Sequence, residues 1–122
     1  MIFKNELELV SKMLNIKLPK LIYNEEMAFS YVPMLDVIFY CRRDYNEALF
    51  LFIHELRHKY QFIYKKNIVK DKYYLLSYHE LDAYSYAYYI IKNIFKINYH
   101  LKFPLAIIIR EYLNHYFIEG LI

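Results

Sequence analysis

The sequence has very little glycine and cysteine, and it has no tryptophan. One Gly and one Cys occur in 122 residues. A fold with many positive-φ turns is therefore not expected, and neither is a glycine-rich phosphate-binding loop. The single cysteine, Cys41, excludes an internal disulfide. We expect it to be a small buried apolar residue rather than a ligand that coordinates and silences a metal site.

Long apolar runs are also missing. The longest, Ala48–Ile53 and Leu105–Ile109, are far shorter than the roughly 20 residues that a membrane-spanning helix needs. Near the start of the chain, Glu6 stands where a signal peptide would have its apolar core. These features predict an intracellular, cytoplasmic protein that does not insert into a membrane.

Apolar and aromatic side chains are abundant. Hydrophobic residues make up 58% of the chain and aromatic residues 20%, including 16 Tyr. That is enough for a packed core and too much for a disordered chain. The length and the absence of a repeat or linker predict a single domain over 1–122. The net charge of +3 does not require a nucleic-acid partner.

The first part of the chain combines a helix with short strands. Apolar residues at helical spacing predict an amphipathic helix over 2–15. Pro19 and Pro33 interrupt any longer helix beyond it. Stretches rich in β-branched and aromatic residues predict a small antiparallel sheet, with strands around Leu21–Tyr23, Phe29–Val32 and Val37–Tyr40.

The second part is helical. Capping-box patterns predict one helix from about Tyr45 to Lys65 and another from Ser77 to about Phe95. Pro104 and Gly120 suit the beginning and end of a last helix. Strands early and helices late predict an α+β fold.

The sequence His54-Glu55-Leu56-Arg57-His58 has the pattern H-E-x-x-H inside the long predicted helix. Residues at i and i+4 share one helix face, so both imidazoles can reach a single Zn²⁺ ion. Glu55 lies about 100° around the helix from His54, where it can reach a water bound to the metal. Zinc lowers the pKa of such a water to about 7, and Glu55 would take its proton as general base. The alternative to a metal site is that the two His are four residues apart by chance and that each is hydrogen-bonded to a backbone or carboxylate partner.

A catalytic zinc needs a third protein ligand and an open position. The class with a third His six residues after the second is excluded, because that position is Tyr64. A carboxylate on the following helix is the other common solution. Glu80 suits this role, because small residues on its helix face, Ala83 and Ala87, would let the two helices approach closely.

Other assignments stay open for this third ligand. Asp82 is the second candidate, although it points to another helix face, and His79 is a weaker third. Glu80 also stands where the capping partner of Ser77 would be, a role that needs no metal.

The pair H-E-L-R-H and E-x-x-A-x-x-Y-A, the latter beginning at Glu80, resembles small gluzincin-type metallopeptidases. These include the minigluzincins and intracellular peptidases that cleave phage or mobile-element repressors. The resemblance covers roughly residues 29–95. It implies a zincin-like core with a small sheet, an active-site helix and a glutamate helix. It also implies that His54, His58 and Glu80 hold zinc, that Glu55 is the catalytic base, and that a peptide or protein is the substrate.

One position departs from this family. Many gluzincins carry an Asp four residues after the ligand Glu, where it supports a ligand His, and here the residue is Tyr84. Tyr84 is a candidate to hydrogen-bond the metal-bound water or stabilise the oxyanion, and packing is the alternative. His79 is a second candidate for the oxyanion.

The resemblance also suggests that substrate lies extended at an exposed sheet edge, the strand Val37–Tyr40. It further suggests that the tail after Phe95 inhibits the enzyme, and the alternative is that the tail simply covers the core.

Two other functions are compatible with the sequence. In the first, the protein is a binding module with structural zinc or no metal, and basic residues between Arg57 and Lys72 bind an anionic partner. Unfolding by a chelator would indicate structural zinc, and affinity that falls steeply with salt would indicate a nucleic-acid partner. In the second, the enzyme hydrolyses a non-peptide amide.

Overall fold

The computed structural model describes residues 3–64, 72–73, 76–101, 106 and 109, with 72–73 and 76–78 described by their backbone. The elements in chain order are α1 (Lys4–Met13), β1 (Lys20–Tyr23), β2 (Ser30–Val32), β3 (Val37–Tyr40), α2 (Tyr45–Tyr64), β4 (Lys72–Tyr73), β5 (Leu76–Ser77) and α3 (Tyr78–Asn93). The predicted α+β fold is confirmed.

Helix α1 packs its apolar face onto the core and then stops sharply. Leu7 and Val10 are fully buried. Asn15 has φ 54°, a left-handed conformation that Asn tolerates better than most residues. The N–H of Asn15 donates to Lys12 O and that of Ile16 to Ser11 O, so the last carbonyls of the helix are satisfied in a Schellman motif. The chain can then turn into β1.

The three-stranded sheet has the order β1-β3-β2 and is mixed. Strand β1 is parallel to β3, with Leu21 opposite Ile38, whereas β2 is antiparallel to β3, with Tyr31 opposite Ile38. The prediction of an antiparallel sheet is therefore wrong for the β1–β3 pair. The segment between β1 and β2 carries the chain to the other side of β3, and the strand pattern alone does not encode that path.

The central position of β3 has a consequence for the predicted peptide-binding edge. Val37–Tyr40 is hydrogen-bonded on both sides, and Val37 and Ile38 are buried. The prediction that substrate pairs with this strand is therefore wrong, because its backbone groups are already used within the sheet.

Helix α2 is the centre of the molecule and packs against the sheet, α1 and α3. Ile53 and Leu56 are fully buried on it, and Ala83 and Ala87 are fully buried on α3. Burial of each large apolar side chain contributes roughly 1.5–3 kcal/mol. Ala83 and Ala87 therefore lie at the contact between the two helices, as the sequence predicted.

A short ladder of two strands, β4 and β5, precedes α3. Lys72 lies opposite Ser77 and Tyr73 opposite Leu76. The sequence did not predict this ladder, since strands of two residues carry no readable alternation. Ser77 therefore belongs to a strand directly before the helix that it was predicted to begin.

The start of the tail covers the core. Tyr99 and Leu101 pack against the buried cluster, and Ile109 is fully buried. The predicted last helix lies outside the described residues except for Ala106 and Ile109, which are helical. Among the helices that the structure describes, none combines the length and the apolar character needed to cross a membrane.

Candidate metal centre

His54 and His58 lie one turn apart on α2, with their rings close together. The ring centroids are 4.6 Å apart and the ring planes are nearly perpendicular, at 82°. His54 is 4% exposed, and the side chain of His58 is 22% exposed. The i, i+4 spacing thus produces the shared helix face that the H-E-x-x-H pattern predicts.

Glu80, in the first turn of α3, lies between the two imidazoles. Its Oε1 is 3.5 Å from His54 Nε2 and in direct contact with His58 Nε2. The second candidate for a third ligand, Asp82, instead forms a buried ion pair with Arg57. Of the candidate carboxylates, Glu80 is therefore the one that the fold brings to both rings.

The hydrogen bonds on the far side of the rings define which nitrogens carry protons. His54 Nδ1 is 2.5 Å from Glu55 Oε2, and His58 Nδ1 is 2.8 Å from Gln61 Oε1. Both oxygens are acceptors, so each Nδ1 carries the hydrogen and donates it. In the neutral rings both Nε2 atoms then present lone pairs towards Glu80. The Nε2 atom of His54 is buried and makes no hydrogen bond.

Two imidazole lone pairs and a carboxylate oxygen repel one another unless a cation lies among them. Burial disfavours the charged form of His54, but the hydrogen bond with Glu55 and the nearby carboxylate of Glu80 outweigh it and raise the pKa of His54 to about 9. Burial also acts to raise the pKa of Glu80, but His54 and His58 hold that pKa far below its ordinary value. The site therefore attracts positive charge, either as a proton or as a metal ion.

Glu55 lies between the site and the sheet. It is 5% exposed. Its Oε1 accepts a hydrogen bond of 2.8 Å from the backbone N–H of Tyr31 in β2, while Oε2 accepts from His54. His54, Glu55 and His58 each offer one potential metal-ligand atom, and these three atoms lie within 4.8 Å of one another. The contact with Tyr31 could not be found from the sequence, because no motif links β2 to this position of α2.

Tyr84 packs directly on His54. The two ring centroids are 4.1 Å apart and the ring planes are inclined by 31°. Burial raises the pKa of the Tyr84 hydroxyl, and the charges of Glu80 and Glu55 raise it further. The hydroxyl is therefore protonated at neutral pH and can act as a donor.

His79 and Cys41 are the two other residues singled out from the sequence. His79 is partly buried, and its backbone carbonyl accepts a hydrogen bond from Gln61 Nε2. Cys41 is buried. It lines a cavity with Phe3 and Tyr40 that none of the candidate ligands line.

The basic residues after His58 do not all belong to the surface. Arg57 is 9% exposed and pairs with Asp82. Lys59 is 5% exposed and binds both Asp36 and the carbonyl of Lys17. These two charges are therefore neutralised inside the fold and are withdrawn from any surface for an anionic partner. Lys65, Lys66 and Lys70 lie outside the described residues.

A cavity of about 470 Å³ adjoins the cluster on the side of Tyr84. Its aromatic wall includes Phe50, one turn before His54, and Tyr99, which stacks on Phe50 with centroids 4.6 Å apart. Asp44 and Glu47 also line it. Its volume is sufficient for a small ligand or an amino-acid side chain.

No family model matches this chain, and comparisons with curated proteins and with solved structures likewise give no match. The likeness to gluzincin-type peptidases therefore rests on the two sequence patterns at 54–58 and 80–87 and stays a prediction.

Proposed function

We propose that the protein is a zinc-dependent hydrolase of peptide or protein amide bonds, with zinc held by His54, His58 and Glu80. The observation that carries this proposal is the position of Glu80 Oε1 beside both Nε2 atoms. Two imidazole nitrogens and one carboxylate oxygen are the protein ligands of a common catalytic zinc site, which leaves a fourth position open.

The residues around the ligands support this choice. Each ring donates its Nδ1 hydrogen to a fixed oxygen, on Glu55 or on Gln61. Such contacts orient metal-binding imidazoles and select the tautomer with a free Nε2. Zinc held there would polarise a substrate carbonyl and lower the pKa of a bound water to about 7.

The protein groups then have distinct roles. With zinc bound, Glu55 Oε2 would leave His54 Nδ1, take the proton of the attacking water and pass it to the leaving nitrogen, while the Tyr31 N–H holds Oε1. Tyr84, protonated and packed on His54, donates to the carbonyl oxygen as negative charge develops on it. The cavity beside Tyr84 takes a substrate side chain. We place this activity inside the cell.

One observation favours a second candidate, a domain in which the metal is structural. Both oxygens of Glu55 already accept hydrogen bonds, from Tyr31 and His54. If they do so permanently, Glu55 anchors β2 to α2 and is not available as a base.

Metal content tests the site first. We expect about one zinc per chain in the untagged parent by elemental analysis, and much less in Glu80→Ala. Glu47→Ala is the matched control, since Glu47 is also in a first helical turn but pairs only with the exposed Arg43 among the ion pairs described. The same measurement includes iron, which two His and one carboxylate also bind. A parent that takes up no metal when supplied contradicts the proposal.

Glu55→Gln then separates the two candidates. For an enzyme, this variant keeps zinc and loses hydrolysis of an unfolded protein such as casein. For an anchor, zinc binding weakens, because the amide nitrogen that replaces one carboxylate oxygen cannot accept the hydrogen bond from Tyr31 or His54. Chelation adds a second criterion: a catalytic site empties without unfolding, whereas a structural site does not. Zinc retained with hydrolysis only of non-peptide amides would contradict the proposed substrate.

A further inference from the structure

Gln61 is a buried amide whose polar atoms are all engaged. It is 3% exposed. Its Oε1 is 2.8 Å from His58 Nδ1, and its Nε2 donates over 2.8 Å to the carbonyl of His79 and over 2.8 Å to Asp82 Oδ2. It thus connects His58 on α2 to two positions near the start of α3.

These contacts fix the direction of the amide. A backbone carbonyl and a carboxylate are acceptors only, so the two hydrogens of Gln61 Nε2 must face His79 and Asp82. The amide oxygen must then face the ring of His58. An oxygen at that point accepts a hydrogen from Nδ1 and disfavours the tautomer that lacks one.

Asp82 is itself held rigidly. Arg57 donates to it through Nε at 2.8 Å and through Nη2 at 3.1 Å, a two-point contact that defines the plane of the carboxylate. The guanidinium lies 4.3 Å from the ring centroid of Tyr60 and 4.5 Å from that of Tyr86. Arg57 and Asp82 are both buried, so water does not compete for these bonds.

We propose that Gln61, held by Asp82 and Arg57, is a positioning residue that fixes His58 as the Nδ1–H tautomer and so presents its Nε2 to the metal. The proposal rests on the metal site proposed above. Its central point, the effect of the Gln61 acceptor on the tautomer of His58, can be tested without metal once the Glu80 carboxylate is removed from Nε2. The charged pair and the amide form one chain of contacts from α3 to the ligand.

Two substitutions of Gln61 separate positioning from packing. Gln61→Leu fills the space but offers no acceptor to His58. Gln61→Glu keeps an acceptor for His58 and places a second carboxylate against Asp82, so it lowers stability. If Gln61 positions His58, zinc affinity falls about 10- to 100-fold in Gln61→Leu and stays within a few-fold of the parent in Gln61→Glu.

Zinc affinity is measured by competition with a chromophoric chelator, and stability by urea unfolding of the metal-free protein. Ile90→Ala is the control for a general loss of stability, because Ile90 is 1% exposed near the far end of α3. We expect Ile90→Ala to unfold more easily and to keep the zinc affinity of the parent. Zinc affinities that follow stability across all three variants would overturn the proposal.

The tautomer is observed by long-range ¹H–¹⁵N NMR of the neutral imidazole in metal-free Glu80→Ala protein, because in the metal-free parent the Glu80 carboxylate contacts His58 Nε2 and itself favours a hydrogen there. In this background we expect the hydrogen of His58 on Nδ1 when Gln61 is present and a mixture of tautomers when Gln61→Leu is added. A hydrogen on Nε2 in Glu80→Ala with Gln61 present refutes the proposal even if the parent binds zinc. The expected tautomer together with a parent that binds no zinc refutes the metal site alone.

Discussion

The backbone N–H of Tyr31 donates to Glu55 Oε1 over 2.8 Å, which joins the outer edge of β2 to the residue that follows His54. Tyr31 is paired with Ile38 of β3 on its other side. The edge of the sheet nearest to the candidate metal centre is therefore closed at this point by a side chain of α2. A single carboxylate thus contributes both to the fold and to the site.

This contact predicts a stability difference between two variants of Glu55. Glu55→Ala leaves the Tyr31 N–H without its acceptor and is expected to lower the free energy of unfolding by about 1–3 kcal/mol. Glu55→Gln retains an oxygen for Tyr31 and is expected to lose less. Urea unfolding of metal-free protein measures both, with Glu47→Ala as the exposed control. Equal losses in the alanine and glutamine variants would show that the hydrogen bond does not carry the effect.

The helices were predictable because their signals are local. The observed bounds, 45–64 for α2 and 78–93 for α3, compare with predicted spans of about 45–65 and 77–95. The sheet order was not predictable, because it depends on the path of the segment between β1 and β2. Strand composition determines which residues pair well but not which neighbour a strand takes.

In the candidate site, too, the residues with local sequence signals were predicted and the contacts between separate elements were not. His54, His58 and Glu80 were found from an i, i+4 spacing and from small residues on one helix face, and the structure places them together. Gln61 was missed, although its position three residues after His58 placed it on the same side of the helix. The partner of Arg57 was not predicted, since Asp82 lies on another helix and was considered only as a ligand.

The buried pair of Arg57 and Asp82 predicts a non-additive effect. Asp82→Leu leaves a buried guanidinium without its carboxylate, which is expected to cost about 3–5 kcal/mol of stability. Combining it with Arg57→Met removes the unpaired charge, so the double variant is expected to be more stable than Asp82→Leu alone. Urea unfolding of the two single variants and the double variant gives the coupling energy. A double variant whose loss equals the sum of the single losses would contradict a buried, coupled pair.

The contacts of the buried Lys59 ammonium predict a loss of stability when its charge is removed. Its Nζ donates to the carbonyl of Lys17 over 2.7 Å and lies 2.8 Å from Asp36 Oδ1, in the turn between β2 and β3. Lys59→Met keeps the apolar stem and removes the charge, and we expect a loss of about 0.5–1.5 kcal/mol, because the hydrogen bonds are lost but water can reach the half-exposed Asp36. Lys20→Met, at an exposed position, is the control and should change stability by less than about 0.5 kcal/mol. If the two variants were equally stable, Lys59 would have no structural role.

The contact between α2 and α3 predicts how the metal ligand is placed. Ala83 and Ala87 have no exposed surface, and α3 carries Glu80 to the rings on α2. Ala87→Leu adds volume where the helices meet, which is expected to cost about 1–3 kcal/mol and to move α3 outward. Because Glu80 moves with the helix, zinc affinity should fall together with stability. Lys92→Leu adds an apolar side chain at an exposed position of the same helix and should change neither quantity. Undiminished zinc affinity in Ala87→Leu, measured with the same competing chelator, would show that the spacing of the two helices does not set the distance from Glu80 to the imidazoles.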